Sequence, residues 1–399
     1  MLRAMASDAT AFFDEAQRRA ARWLAAWDAQ GIHRTATAGD NAGAVWLARE
    51  AEALGAPGAI QVSIEEFALD RLDPVAAFLE IGGERIEAVP VFDAPATDMA
   101  GVVGRLGLAG GDAEIAVAEL SPRAVYSGQS ERLRWTGAHR GLVILCAGES
   151  PGMGLLNAER FPEPYGAPAI HVASEARAAV LGAAAQGAPT RLVAHSRRTP
   201  AKGRNVVIAL AGTGGARPPL VVMTPRSSWW QSTAERGGGL VCWLESLRAL
   251  LATPPARPVT FTANSGHELG HLGLDDFVAR RAGWDRPARD GGASWVHYGA
   301  NLGAAGGTLS LVSPDDDLRD LAAAELERGG QPLTVAPKTL VPSGETRDIH
   351  RAGGRYLTLV GSNKLFHLPQ DRWPEAVDLA AVTRIAAAAA HIVLALARG

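Results

Sequence analysis

From about Arg204 onward, short continuous apolar runs alternate with segments of helical periodicity. The runs are NVVIAL, PLVVMT, PVTFTA, SWVHYGANL, TLSLV and RYLTLVG, and helices are predicted at 239–251, 272–281, 318–328 and along the final stretch. Strands that lack apolar/polar alternation are buried on both faces. This requires an α/β fold with a mostly parallel, doubly wound sheet covered by helices. In such a sheet functional groups collect at the carboxyl ends of the strands.

The preceding chain has a different texture. Phe13, Ala16, Ala20, Trp23, Leu24 and Trp27 predict one helix, and Ala44 to Leu54 a second after the candidate caps Asp40 and Asn41. Between about Ile60 and Ser196 the pattern is short β-type runs broken by Gly and Pro, with one helix near Glu175 to Gln186. The expected organisation is a body formed by 1–62 and 200–399, interrupted by a β-rich insert, 63–199. Cys146 and Cys242 lie in apolar runs and read as core thiols. Arg384 and His391 interrupt the apolar stretch from Leu379 to Ala397, which reads as a buried helix and not a membrane span. With 39 Lys+Arg against 42 Asp+Glu, no positive field favours nucleic acid. The first residues, with Asp8, Asp14 and Glu15, show no secretory apolar run, so a cytoplasmic location is expected.

Reactive residue types follow each strand. PLVVMT leads to Arg226, Ser227, Ser228 and Glu235; PVTFTA to His267, Glu268 and His271; SWVHYGANL carries His297 and Tyr298; RYLTLVG leads to His367 and Asp371. Four of the ten histidines thus fall on three strand ends, and imidazole with carboxylate is a donor set for zinc. HELGH, 267–271, also satisfies the H-E-x-x-H pattern of zincin metalloproteases. That motif needs both imidazoles on one face of a helix, and Gly266, Gly270 and Gly273 oppose one.

The ordered segments PLVVMTPRS, STAERGGGLVCWLESLRAL, PVTFTANSGHELGHLGLDDF and KLFHLPQD resemble the M28 aminopeptidase family. GLVILCAG through NAERFPEPYGAPAIHV is similar to the protease-associated (PA) domain that some M28 enzymes insert. The resemblance implies a two-zinc site, carried over here only in part. The first His and its Asp fall on Thr224 and Arg226, the bridging Asp on Glu235, the Glu-Glu pair on His267 and Glu268, and the late His on His367. The further Asp falls near 299–301, where no carboxylate stands.

The resemblance therefore implies one zinc per chain, held by Glu235, Glu268 and His367, in an atypical hydrolase of an amide or peptide-type bond. His267 would replace the Glu base, and Arg226 would assume part of the lost cation's role. His271, His297, Trp230, Tyr298 and Asp371 would support the site or contact substrate. The expected partner is a small-molecule or peptide-like substrate, with no nucleic acid and no membrane; oligomerisation is left open. The alternatives are a non-catalytic binding or scaffold protein on the same fold, and a zincin.

Overall fold

The computed structural model describes residues 2–398 apart from 57, 59, 215 and 216, with side chains from Phe13 onward. Helices α1 (Leu2–Asp28) and α2 (Ala38–Glu52) lead into strand β1 (Val62–Ile81). α1 buries Ala20, Trp23, Leu24 and Trp27, the stripe that its spacing predicts. α2 begins at Ala38 and not at Ala44, because Asp40 caps nothing at that boundary: its buried carboxylate accepts the Ala36 N–H at 2.8 Å.

The insert contributes β2 (Glu84–Pro90), β3 (Val102–Leu108), β4 (Ile115–Leu120), α3 (Gln129–Trp135), β5 (Gly141–Cys146), β6 (Ala169–Val172) and α4 (Arg177–Ala185). The chain returns along β7 (Pro189–Leu210). β8 (Leu220–Pro225), α5 (Gly238–Ala252), β9 (Val259–Asn264), α6 (Leu272–Ala279), β10 (Ser294–Tyr298) and β11 (Leu309–Val312) follow. α7 (Asp316–Arg328), β12 (Thr334–Val335), α8 (Thr346–Arg351), β13 (Arg355–Gly361) and α9 (Leu379–Arg398) complete the body.

In the body sheet the order is β7-β9-β8-β10-β13-β11-β12, and β9, β8, β10 and β13 run parallel. Alternate side chains of β8 enter two cores. Leu220 and Val222 pack with α1, α2, α5, α7 and α9, whereas Val221 and Met223 pack with α6 and α8. α9 is long and apolar enough to cross a membrane by length and composition, and here it packs on α5, α7 and α1. The chain leaves β8 through α5 to reach β9 on one side, then passes through α6 to β10 on the other. The connections diverge above β8, which opens a crevice at the carboxyl ends.

β1 and β7 form an antiparallel ribbon from Val62↔Ile208 to Ile81↔Thr190. The register shifts once, between Pro74 and Ala76, where proline lacks the N–H that a regular ladder would use. One end of the ribbon joins β9, and the other joins β2 and β3 of the insert. The insert has its own cores, and a separate cluster of Leu72, Phe92, Leu155 and Phe161 clamps it onto Trp229 and Leu269 of the body. The rings of Phe92 and Trp229 lie 4.6 Å apart.

Candidate functional site

The segment after β8 is fixed at both ends. A π-helical turn, Thr233–Gly237, opens α5, and the buried carboxylate of Asp371 accepts the N–H groups of Ala234 at 2.7 Å and Glu235 at 3.0 Å. Burial, reinforced by the charge of Glu235, pushes Asp371 up to about 8. Gly238 is required by close packing, since a Cβ there would stand 1.8 Å from the Leu302 carbonyl oxygen. Asp371 is thus a support for the turn that presents Glu235 and Arg236.

After β9, Gly266 turns the chain at φ 81, and His267–Leu269 form one 3-10 turn. Gly270 and His271 are both left-handed, at φ 78 and 67, so HELGH is not on a helix. The zincin arrangement is absent for this backbone reason. His271 Nδ1 instead lies 2.5 Å from Asp348 Oδ2. Burial alone would lower the His271 pKa, and the Asp348 carboxylate reverses this and raises it.

Glu235, Glu268 and His367 come together. His367 Nε2 is 3.3 Å from Glu235 Oε1, and its Nδ1 is 2.7 Å from the Leu155 carbonyl oxygen of the insert. Glu268 Oε2 accepts the Ser227 hydroxyl at 2.6 Å. Between the two carboxylates stands Arg236, a residue that no sequence motif marks. Its Nη2 is 2.8 Å from Glu235 Oε1 and 2.6 Å from Glu268 Oε1, and its Nε donates to the Ser227 carbonyl oxygen at 2.6 Å. Burial works against the charge of Glu235, but Arg236 and His367 hold it down to about 2.

The residues as arranged do not fit a zinc ion at this tripod. The guanidinium takes the space between the carboxylates, and the side chains of Glu235, Arg236, Glu268 and His367 are no more than 2% exposed. As the side chains are placed, no three His, Cys, Asp or Glu residues among the described ones stand close enough together to hold a common metal ion.

Arg226, the expected stand-in cation, is turned away from this site. Its buried guanidinium pairs with Asp40 Oδ1 at 2.8 Å and donates to the carbonyl oxygens of Asp40 at 2.5 Å and Arg204 at 2.6 Å. Tyr298 faces the helix layer opposite His297, and its hydroxyl lies 2.7 Å from Ser246 Oγ; it lines no substrate wall. Trp230 Nε1 donates to the His367 carbonyl oxygen at 2.9 Å and supports the left-handed His367, φ 61.

His267 and His297 meet around a second residue outside the sequence-predicted set, Glu345, just before α8. His267 Nδ1 is 3.9 Å from Glu345 Oε1, and His297 Nε2 is 3.8 Å from Oε2. Burial pushes Glu345 up to about 7 and drives His297 down to about 3. Burial, with the Arg236 charge, also keeps His267 neutral well below its ordinary range. The loop before Glu345 carries no motif that would have marked it.

The insert roofs the site. The Ala158 N–H donates to the Glu268 carbonyl oxygen at 2.8 Å, and Trp229 Nε1 donates to Asn157 Oδ1 at 3.2 Å. Beside this roof a cleft of about 710 Å³ runs between insert and body, lined by Tyr126, Glu159 and Arg160 on one side and Ser343, Arg347 and Asp348 on the other.

The chain is similar in structure to a zinc aminopeptidase from Bacillus subtilis, with TM-score 0.74 and 16% identity, over 96% of this chain and 95% of that one. It is similar to a peptidase M28 precursor from Shewanella amazonensis SB2B, with TM-score 0.72 and 14% identity, over 97% and 98%. An aminopeptidase from Aneurinibacillus sp. strain AM-1 gives TM-score 0.67 and 14% identity, over 96% and 94%. No family profile and no curated protein sequence matches the chain. The chain therefore has the M28 aminopeptidase-like fold.

Proposed function

We propose that this chain is a ligand-binding protein on the M28 aminopeptidase-like fold, in which a guanidinium has taken the place of the tripod metal and peptide hydrolysis there is lost. The observation that carries this reading is Arg236 Nη2, within 2.8 Å of Glu235 and 2.6 Å of Glu268. A cation fixed by covalent attachment neutralises the carboxylates, but it has no open coordination position at which to activate water. The cleft between insert and body, about 710 Å³, is large enough for a small-molecule or peptide-like ligand. Its mixed charges, Glu159, Arg160, Arg347 and Asp348, favour a polar ligand over a lipid.

A second reading keeps an amide-bond hydrolase with one zinc ion and His267 as base. It is favoured by Glu235 Oε1 and Oε2 and His367 Nε2, which are buried without a hydrogen bond of good geometry. Metal analysis of untagged protein, with aminoacyl p-nitroanilide assays, separates the two. The binding reading expects no zinc whose retention depends on Glu268 and no chelator-sensitive hydrolysis. Zinc lost in Glu268→Ala and His367→Ala, together with such hydrolysis, would establish the hydrolase instead.

A further inference from the structure

We propose that His267, His297 and Glu345 form a site for one divalent metal ion, separate from the tripod and independent of the ligand-binding function. The three side chains come from three different elements: the turn after β9, strand β10, and the residue preceding α8. Their exposures are 5%, 2% and 0%. His267 Nδ1 lies nearest Glu345 Oε1 and His297 Nε2 nearest Glu345 Oε2, and none of these four atoms makes a hydrogen bond. At 3.9 and 3.8 Å the nitrogen to oxygen gaps are too long for hydrogen bonds. A buried polar atom left without a partner is destabilising, so four in one place point to a missing common partner.

An interposed ion would satisfy all three side chains. With bonds of about 2.0–2.2 Å, a tetrahedral ion holds neighbouring donor atoms roughly 3.4 Å apart. The side chains as placed are open beyond coordination distance, and closing each gap takes about half an ångström, which small side-chain rotations supply. Two features prepare the site. His297 Nδ1 lies 3.1 Å from Thr346 Oγ1, itself held by Thr358 Oγ1 at 2.8 Å, so the ring is oriented by its other nitrogen. Gly344, at φ 69, lets the His267 ring approach the loop, since a Cβ there would stand 3.3 Å from His267 Cε1.

Charge balance points the same way. Asp348 is paired with His271, Glu159 with Arg347, Glu268 with Arg236, and Glu235 with Arg236 and His367, which leaves Glu345 with no Arg or Lys partner among the described residues. A divalent cation beside Glu345 compensates its charge. Two imidazoles with one carboxylate suit zinc, cobalt(II) or nickel(II) better than magnesium or calcium.

The test uses the full chain, stripped of metal and titrated with cobalt(II). One cobalt per chain is expected, with visible ligand-field bands and an X-ray absorption edge that reads two imidazole ligands. Binding should be lost in His297→Ala and in the isosteric Glu345→Gln, and kept in Glu268→Ala and His367→Ala. No uptake, or an edge that reads one imidazole, would overturn the site. The edge is measured on the unmodified chain, so it decides the matter even where a variant fails to fold. Loss in Glu268→Ala with retention in Glu345→Gln would place the ion on the tripod, refuting both this site and the ligand-binding function.

Discussion

Arg236 Nη2 lies 2.6 Å from Glu268 Oε1, and through the same nitrogen it also holds Glu235 at 2.8 Å. The Glu235 backbone is held apart from it, through its N–H on Asp371, and the second oxygen of Glu268 is held by the Ser227 hydroxyl. Removing the arginine therefore uncovers an anionic tripod in place. Arg236→Ala is expected to cost about 3–5 kcal/mol, because two buried charges lose their partner. It should also bind one more zinc ion per chain than its parent and recover about 2.7 kcal/mol at zinc a hundred times above Kd. Thermal unfolding with and without zinc checks this. A variant that takes up no additional ion, or one whose additional ion persists when Glu268→Ala is added, would show that the three residues are not a latent ligand set.

Arg226 is a stability residue on this structure. Its guanidinium bridges Asp40 on α2 and the Arg204 carbonyl oxygen on β7, fully buried. Burial penalises both charges, lowering the pKa of Arg226 and raising that of Asp40, and each is tolerated because the other is present. Arg226→Ala is expected to lose about 3–5 kcal/mol in denaturant unfolding and to leave cobalt binding unchanged. Normal stability with altered metal binding would return Arg226 to the site.

The contrast between Arg226 and Arg236 shows how far the sequence was legible. Alternation of apolar runs and helices is dictated by burial on both sheet faces, so it revealed the parallel sheet and the strand ends that carry Glu235, Glu268 and His367. Which of two nearby arginines turns toward those carboxylates depends on the path of the backbone after β8. There the left-handed Ser232, φ 50, and the π-helical turn decide, and periodicity carries no trace of them. Tyr298 shows a simpler limit: it follows His297 on one strand and so must face the other way. Glu345 was invisible because α8 and its loop bring it to the site from far along the chain.

His271 and Asp348 make a pH-dependent pair, at 2.5 Å. The folded pKa of His271 is raised above 6.5, so its contribution is complete below that value and fades as pH rises through the raised one. The folded pKa of Asp348 is lowered below 3.8, so its contribution is present above 3.8 and lost as pH falls through the lowered value. The pair should therefore stabilise most between pH 3.8 and 6.5. Asp348→Asn is expected to cost about 1.5 kcal/mol at pH 5, the low end for a charged hydrogen bond because Asp348 is 30% exposed. The cost should shrink by pH 9. An equal cost at both values in urea titrations would mean that the charge of His271 is not involved.

The clamp between insert and body rests on Trp229. It is 2% exposed, stacks obliquely on Phe92 at 4.6 Å, and ties Asn157 through its indole N–H. The same roof segment supplies the Leu155 carbonyl that orients His367 and the Ala158 N–H on Glu268. Trp229→Ala removes the largest buried side chain of this cluster and is expected to cost about 3–5 kcal/mol. The separate cores of the insert and body remain intact, so the loss should appear first as local opening of 152–161 and not as global unfolding. Hydrogen exchange resolved by peptide checks it: faster exchange over 152–161 and around His367, with β4 and β5 unchanged. Uniform acceleration across the chain would mean that Trp229 supports the whole fold and that the insert is not separately clamped.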